Sequence, residues 1–291
     1  MTGFDTSGFL HALPWTAAAV GALIVVTFLV ARAVHRNNVV DAVWGLLFVA
    51  AGWAAFATSS GHGDDVRRWL LVVMVTVWGG RLSTNMALRS RGKGEDPRYE
   101  ELLRRGHANP TVNAVLKIFL PQAVLAWLIS SPLQVGPFAR AGVGWLAVVG
   151  VVVWAVGLFF ETVGDAQMNR YKAWKARQPE DEVRASVMDR GLWRYTRHPN
   201  YFGDAAVWTG MFLVTAEHWP GVLTLPSLAL MVYLLVFGSG KRNLERSMAK
   251  RPGYPEYMQR TSGFFPLPPR KTPRGPASRQ PSGDDVSIAD R

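Results

Sequence analysis

The chain of 291 residues contains no cysteine, so it has no disulfide, no thiol nucleophile and no thiolate-ligated zinc. Its six histidines are scattered singly and no His-Glu-x-x-His element occurs, so no metal is expected. No Gly-x-Gly-x-x-Gly follows a strand pattern, and Gly92-Lys-Gly94 lacks the surroundings of a phosphate-binding loop. A soluble parallel-sheet dinucleotide domain is thereby excluded. There is no internal repeat. Met1–Leu13 has no Lys or Arg, and the apolar run behind it is too long for a secretory h-region, so the first apolar segment is expected to stay in the mature protein.

What the chain does have is a series of apolar runs approaching the roughly 20 residues needed to cross a bilayer. Spans are expected near Trp15–Val34, Val40–Thr58, Val66–Leu82, Asn113–Ser131, Val143–Phe160, Phe202–Ala216 and Pro220–Phe237. The fold class is therefore all-α, a polytopic membrane protein with about seven transmembrane helices. Residues 1–267 form a single transmembrane domain, and 268–291, rich in Pro, Ser, Arg and Asp, read as a disordered cytoplasmic tail. The basic residues follow alternate spans: Arg32 and Arg36, then Arg81 to Arg105, then Arg170 to Arg197, then the tail from Lys241. Such alternation puts the N-terminus outside and the C-terminus in the cytoplasm. The formal net charge of +11 then reflects cytoplasmic loops and attraction to anionic lipid, and no nucleic-acid partner is expected. Trp15, Trp69, Trp127 and Trp219 lie at expected span ends and suit an interfacial belt.

Chemistry concentrates in Gly191-Leu-Trp-Arg-Tyr-Thr-Arg-His-Pro-Asn-Tyr-Phe-Gly-Asp204, immediately before an apolar run. Pro199 fits the first turn of a helix, and His198 before it is pushed to extended backbone. The free N–H groups of that helix start, with Arg197 and His198 beside them, suit an anion such as a phosphate. Asn200 and Asp204 are one turn apart and can face one ligand, with Tyr201 offering a ring and a hydroxyl. Glu161, Asp165, Asn169 and Lys172 recur at spacings of four, four and three, a single helical stripe that is either a solvated, ion-paired helix end or a wall facing a cavity.

Arg197-His-Pro-Asn-Tyr-Phe-Gly-Asp204 resembles the signature of the C-terminal half of the steroid 5-alpha-reductase and sterol C14-reductase superfamily, and in particular its bacterial DUF1295 members. Gly80-Arg-Leu, Glu95-Asp-Pro-Arg-Tyr99, Glu245 and Pro252-Gly-Tyr-Pro-Glu-Tyr257 also match, so the resemblance runs from about Asp41 to Pro266. It implies an NADPH-dependent, membrane-embedded reductase that transfers hydride to a C=C bond of an apolar lipid, steroid or isoprenoid-like substrate. Cofactor contacts carry over to Arg89, Arg91 and Arg98 in the loop after the third span, to Glu161, Asp165, Asn169 and Lys172, and to Trp193, Tyr195, Arg197, His198, Asn200, Tyr201 and Asp204. Glu245, Tyr254 and Tyr257 would close over adenine and ribose. Lys172 stands where the family more often has Arg, which keeps the charge and loses the bidentate fork.

Tyr99 or Asp41 would donate or polarise as the catalytic acid. The Gln-x-x-Glu-type element that supports a steroid enone carbonyl is missing from the second span. Two alternatives share the charge and spans. One is an isoprenylcysteine-type methyltransferase using S-adenosylmethionine, whose family also carries Arg-His-Pro-x-Tyr, and the other is a non-catalytic lipid-binding membrane protein. The abundance of Arg, Ala, Val and Gly points to a GC-rich bacterial genome and hence to a bacterial cell membrane.

Overall fold

The computed structural model describes residues 3–104, 109–238 and 241–270; most of the expected tail lies outside the described residues. The longer helices among them are α1 Thr6–Ala33, α2 Val39–Thr58, α3 Asp65–Ser90, α4 Pro97–Arg104, α5 Pro110–Ile129, α6 Trp145–Lys175, α7 Pro199–Ala216, α8 Gly221–Gly238, α9 Lys241–Met248 and α10 Tyr254–Arg260, with shorter turns such as Ser131–Val135 and Glu180–Val183 between them. Among the described residues there is no β-sheet, only the isolated bridges Phe4–Ala139 and Thr196–Ser262.

Six helices, α1, α2, α3, α5, α6 and α8, are long and apolar enough to cross a membrane. The remaining expected span corresponds to α7, whose 18 residues open on Pro199 and Asn200 and carry Asp204, so its apolar stretch is shorter than its helix. Val25, Val26 and Leu29 of α1 and Val148 and Val152 of α6 are more than half exposed, as befits faces turned to lipid rather than water. These features make the chain an integral, multi-pass membrane protein.

The helices run beyond the apolar runs because their ends are capped. Asp5 accepts from Gly8 N at 2.9 Å to start α1, and Asp64 accepts from Arg67 N at 2.9 Å to start α3. The start of α2 is capped from a distance: Glu95 accepts from Asn37 N at 2.5 Å and Asn38 N at 3.0 Å. Within α5, residues Val115–Phe119 form a π turn, with Leu120 N donating to Val115 O. Pro121 follows directly and, having no N–H, cannot restore the α pattern there.

The described chain divides into two compact units. The first holds Met1–Ala155 and Ala206–Met231. Its centre is an aromatic group of fully buried rings, Phe48, Trp78 and Trp208, with the Phe48–Trp208 centroids 4.8 Å apart and near edge-on. Glycines let helices approach closely: a Cβ on Gly45 would stand 2.4 Å from Gly79 O, and one on Gly210 would stand 2.5 Å from Gly150 O. At one end of α3, the fully buried Arg67 donates to Glu217 at 2.8 Å and to Ala141 O at 2.7 Å. Glu217 also accepts from Gly144 N at 2.9 Å and Ala147 N at 3.2 Å, next to the first turn of α6. Burial opposes its ionisation, yet these donors keep its carboxyl below the usual range.

The second unit holds Val156–Ala205 and Val232–Arg291. Here Gly203 of α7 lies against Gly157 O of α6, where an added Cβ would meet it at 2.5 Å. Trp193 donates its indole N–H to Gly164 O at 3.0 Å, and Tyr257 donates to Trp193 O at 2.5 Å, tying α10 through the 191–194 turn to α6. The segment after α10 returns beside residues 195–197, with Arg197 N donating to Ser262 O at 2.9 Å and Leu267 N to Tyr195 O at 3.0 Å.

Candidate functional site

In the first unit, Asp41, Tyr99 and Arg98 come together. Asp41 lies in the first turn of α2 and Tyr99 in α4, whose hydroxyl donates to Asp41 Oδ1 at 2.5 Å. Arg98 grips Asp96 with Nε and Nη2, at 3.0 and 2.8 Å, and its Nη2 stands 3.8 Å from Asp41 Oδ2. The Arg98 fork holds the Asp96 carboxyl below its ordinary range. Asp96 also accepts from Arg98 N at 2.8 Å and so caps α4. Glu95 caps α2 and also accepts from Asp96 N at 3.0 Å. Burial, reinforced by the Asp41 carboxylate, pushes the Tyr99 phenol well above its ordinary range. A cleft of about 330 Å³ reaches Asp41, between walls that include Ala42, Met86, Arg89, Lys93 and Arg98. Arg91 is exposed at the end of α3.

In the second unit, the cluster sits at the start of α7. His198 is 1% exposed, stacks parallel on Tyr201 with centroids 5.3 Å apart, and places Nε2 at 3.0 Å from Glu245 Oε1. Arg197 donates Nε to Glu245 Oε1 at 2.8 Å and Nη1 to Met258 O at 3.0 Å and Thr261 O at 2.6 Å. Burial lowers the His198 pKa, although Glu245 pulls the other way. Glu245 itself is held at about 2: burial would raise it, and His198 and Arg197 outweigh burial. Buried Tyr254 is pushed up to about 12 and Tyr257 further. Glu161, Asp165 and Asp204 are all buried, whereas Asn169 and Lys172 on the same α6 stripe are exposed. A cleft of about 460 Å³ is lined by Val236, Phe237, Lys241, Arg242 and Glu245.

The expected site residues thus fall into two groups, one in each unit. Several carry duties inside the protein: Arg197, Trp193 and Tyr257 are engaged by backbone carbonyls, and Tyr195, 44% exposed, contributes its carbonyl to Leu267. Two atoms at the start of α7 answer differently. Among the described residues His198 Nδ1 and Asn200 Oδ1 are buried without a hydrogen-bond partner, and buried polar atoms are otherwise nearly always paired. An acceptor oxygen and a ring nitrogen beside helix-start N–H groups fit a ligand that has hydroxyl or amide donors next to an anion, as a nucleotide cofactor does.

Three residues escaped the sequence reading. Gln167 accepts from Leu192 N at 3.0 Å and packs under Gly191, where its amide leaves no room for a Cβ and the φ of 57° independently favours glycine. Lys241 Nζ would meet a Cβ on Gly263 at 3.0 Å, as would Arg197 Nη2, so both cations approach one point. Gln122 donates to the Tyr99 hydroxyl at 3.3 Å. Only Gln122 had a signal, a lone amide inside an apolar run. Among the described residues no group of three or more His, Cys, Asp or Glu is placed to hold a metal ion.

Helical spans and buried polar clusters of this kind define a class, the polytopic membrane proteins with internal ionisable sites. Within that class, the chain belongs to the family described as Protein of unknown function (DUF1295), whose pattern matches residues 27–261. It is similar to the Uncharacterized protein C594.04c of Schizosaccharomyces pombe, at 24% identity over 253 residues, 79% of this chain and 73% of that protein. No solved structure matches.

Proposed function

We propose that the protein is an NADPH-dependent reductase of an apolar, lipid-like substrate, in keeping with the steroid-reductase-like character that membership of its family suggests. The observation that carries the reading is the pair of unpartnered buried atoms, His198 Nδ1 and Asn200 Oδ1, at the start of α7. Asn200 and Tyr201 would hold the cofactor, the N–H groups of the first α7 turn would meet a phosphate, and Lys241 and Arg242 would add charge beside it. When bound, the cofactor supplies hydride. Tyr99, paired with Asp41 in the first unit, would serve as a proton donor. The long apolar faces of the spans give a lipid-soluble substrate its route, and orientation with a cytoplasmic C-terminus gives the cofactor its own.

A methyltransferase using S-adenosylmethionine is the second reading, favoured by one observation. Arg197 engages Glu245 and two carbonyls with Nε and Nη1, which suits a pocket for a small zwitterion better than a phosphate cradle. Calorimetric titration of detergent-purified protein with NADPH, NADH and S-adenosylmethionine separates the two. We expect NADPH to bind, and the Asn200→Ala, Tyr201→Phe variant to lose affinity by tenfold or more, on the order of two hydrogen bonds. Binding of S-adenosylmethionine alone would move the protein to the second reading, and binding of none of the three would remove both.

A further inference from the structure

The polar groups of a membrane span need a stated reason, because an amide among apolar residues is costly to leave unbonded. Gln122 lies in α5, within a stretch whose neighbours are Leu120, Pro121, Ala123 and Val124. Its side-chain Nε2 donates to the hydroxyl of Tyr99, 23 residues earlier in the chain, at 3.3 Å. The same hydroxyl donates to Asp41 Oδ1 at 2.5 Å. Three elements, α2, α4 and α5, therefore meet at a single phenol oxygen.

The local backbone explains why this residue reaches that oxygen. In a regular α-helix, positions five apart diverge by about 140° around the axis. Lys117 and Gln122 are five apart, yet both reach α4: Lys117 Nζ approaches Leu102 O at 3.5 Å, and Gln122 reaches Tyr99. The π turn Val115–Phe119 closes over one more residue per turn and brings such positions nearer to one side. Pro121 fixes the turn, since it cannot donate back into the α ladder. Single π turns inside α-helices are often found at functional sites, and here the turn points its helix at a titratable pair.

We propose that Gln122 is a positioning residue for Tyr99, donating to the phenol oxygen so that this oxygen is held in place and the phenolate left by proton transfer retains a donor. This rests on the reductase reading, in which Tyr99 gives up a proton. A phenol oxygen has room for its own hydrogen and two incoming donors. The Gln122 N–H can only donate, so it always takes an acceptor position on that oxygen. In the transfer step the Tyr99 O–H would turn from Asp41 to the substrate and break as its proton joins an electron pair there, leaving the bonding pair on the phenol oxygen. Negative charge gathers on the phenol oxygen and is met by the Gln122 N–H, as in an oxyanion hole. Asp41, which lines the open cleft, then returns a proton taken from water. Burial and the Asp41 carboxylate oppose ionisation of Tyr99, whereas the Gln122 hydrogen bond favours it.

The test is spectroscopic and needs no substrate. A polyfluorinated tyrosine at position 99, whose phenol ionises below the ordinary tyrosine range, is titrated by ultraviolet absorbance in the full chain with Gln122 or with Gln122→Met. Loss of the donor should raise the midpoint by about one pH unit, a tenfold change in ionisation constant; an unchanged midpoint overturns the proposal. A second measurement requires no variant to fold. The infrared C–O stretch of isotope-labelled Tyr99 in the unaltered protein should be that of a phenol that both donates and accepts, and a donor-only band overturns the proposal. NADPH titration of the same preparations reports separately: a shifted midpoint without NADPH binding upholds the hold of Gln122 on Tyr99 and removes only the reductase reading.

Discussion

At the scale of single residues, the Arg197–His198–Glu245 group ties stability to pH. The His198 pKa lies below its ordinary 6.5 in the folded protein. The unfolded chain therefore binds the extra proton more readily, and stability falls as pH drops below 6.5. Glu245 is held at about 2 against an ordinary 4.5. Its contribution is whole above 4.5 and is lost as pH falls from there towards about 2. The unfolding temperature in detergent should fall as pH drops below 6.5 and fall further below 4.5, and Glu245→Gln should make the lower decline shallower, the rest coming from other carboxyls held low, Glu217 and Asp96 among them. A lower decline of the same steepness in both proteins would show that Glu245 titrates normally. The residue types in this group were legible in the sequence because Arg-His-Pro-Asn-Tyr is a dense polar run before an apolar one. Their partners were not: Glu245 is 48 residues from Arg197, and helical spacing offered Arg242 and Arg246 as nearer partners for it.

At the scale of elements, hydropathy located the spans, and caps and turns set their ends. The apolar run expected at Val143–Phe160 became α6, Trp145–Lys175, because nothing in Glu161 to Lys172 stops a helix once Glu161 and Asp165 are buried. The helix start at Pro199 was legible from proline alone. The π turn of α5 was not, since no side-chain pattern announces an extra residue in a turn. Close helix contacts were hidden for the opposite reason: glycine carries no periodic signal. Gly45→Ala should destabilise the protein by about 1–3 kcal/mol, because the new methyl meets the Gly79 carbonyl at 2.4 Å. Gly21→Ala on α1, where no atom lies within 4 Å of the new methyl, should be neutral or stabilise by up to about 1 kcal/mol. Equal unfolding temperatures for the two variants would refute close packing at Gly45.

At the scale of the whole molecule, the lack of cysteine makes the sidedness of the membrane protein directly measurable. Single cysteines at Ser60 and Lys93, both exposed positions, should report opposite sides. The alternation of basic loops predicts that an impermeant thiol reagent labels Ser60→Cys in intact cells and Lys93→Cys only in inverted vesicles. The reverse pattern would turn the protein over and put Lys93 on the outer face.

The Arg67–Glu217 clamp carries a consequence in time. The two residues are 150 positions apart, so a ribosome adding residues at about 5–20 per second makes Glu217 roughly 8–30 s after Arg67. Throughout that interval α3 exists with a cation whose counter-ion is still unmade. The end of α3 must wait near water or lipid phosphate until α7 is complete, and closure of the clamp marks the point in synthesis after which the first unit can be fully assembled.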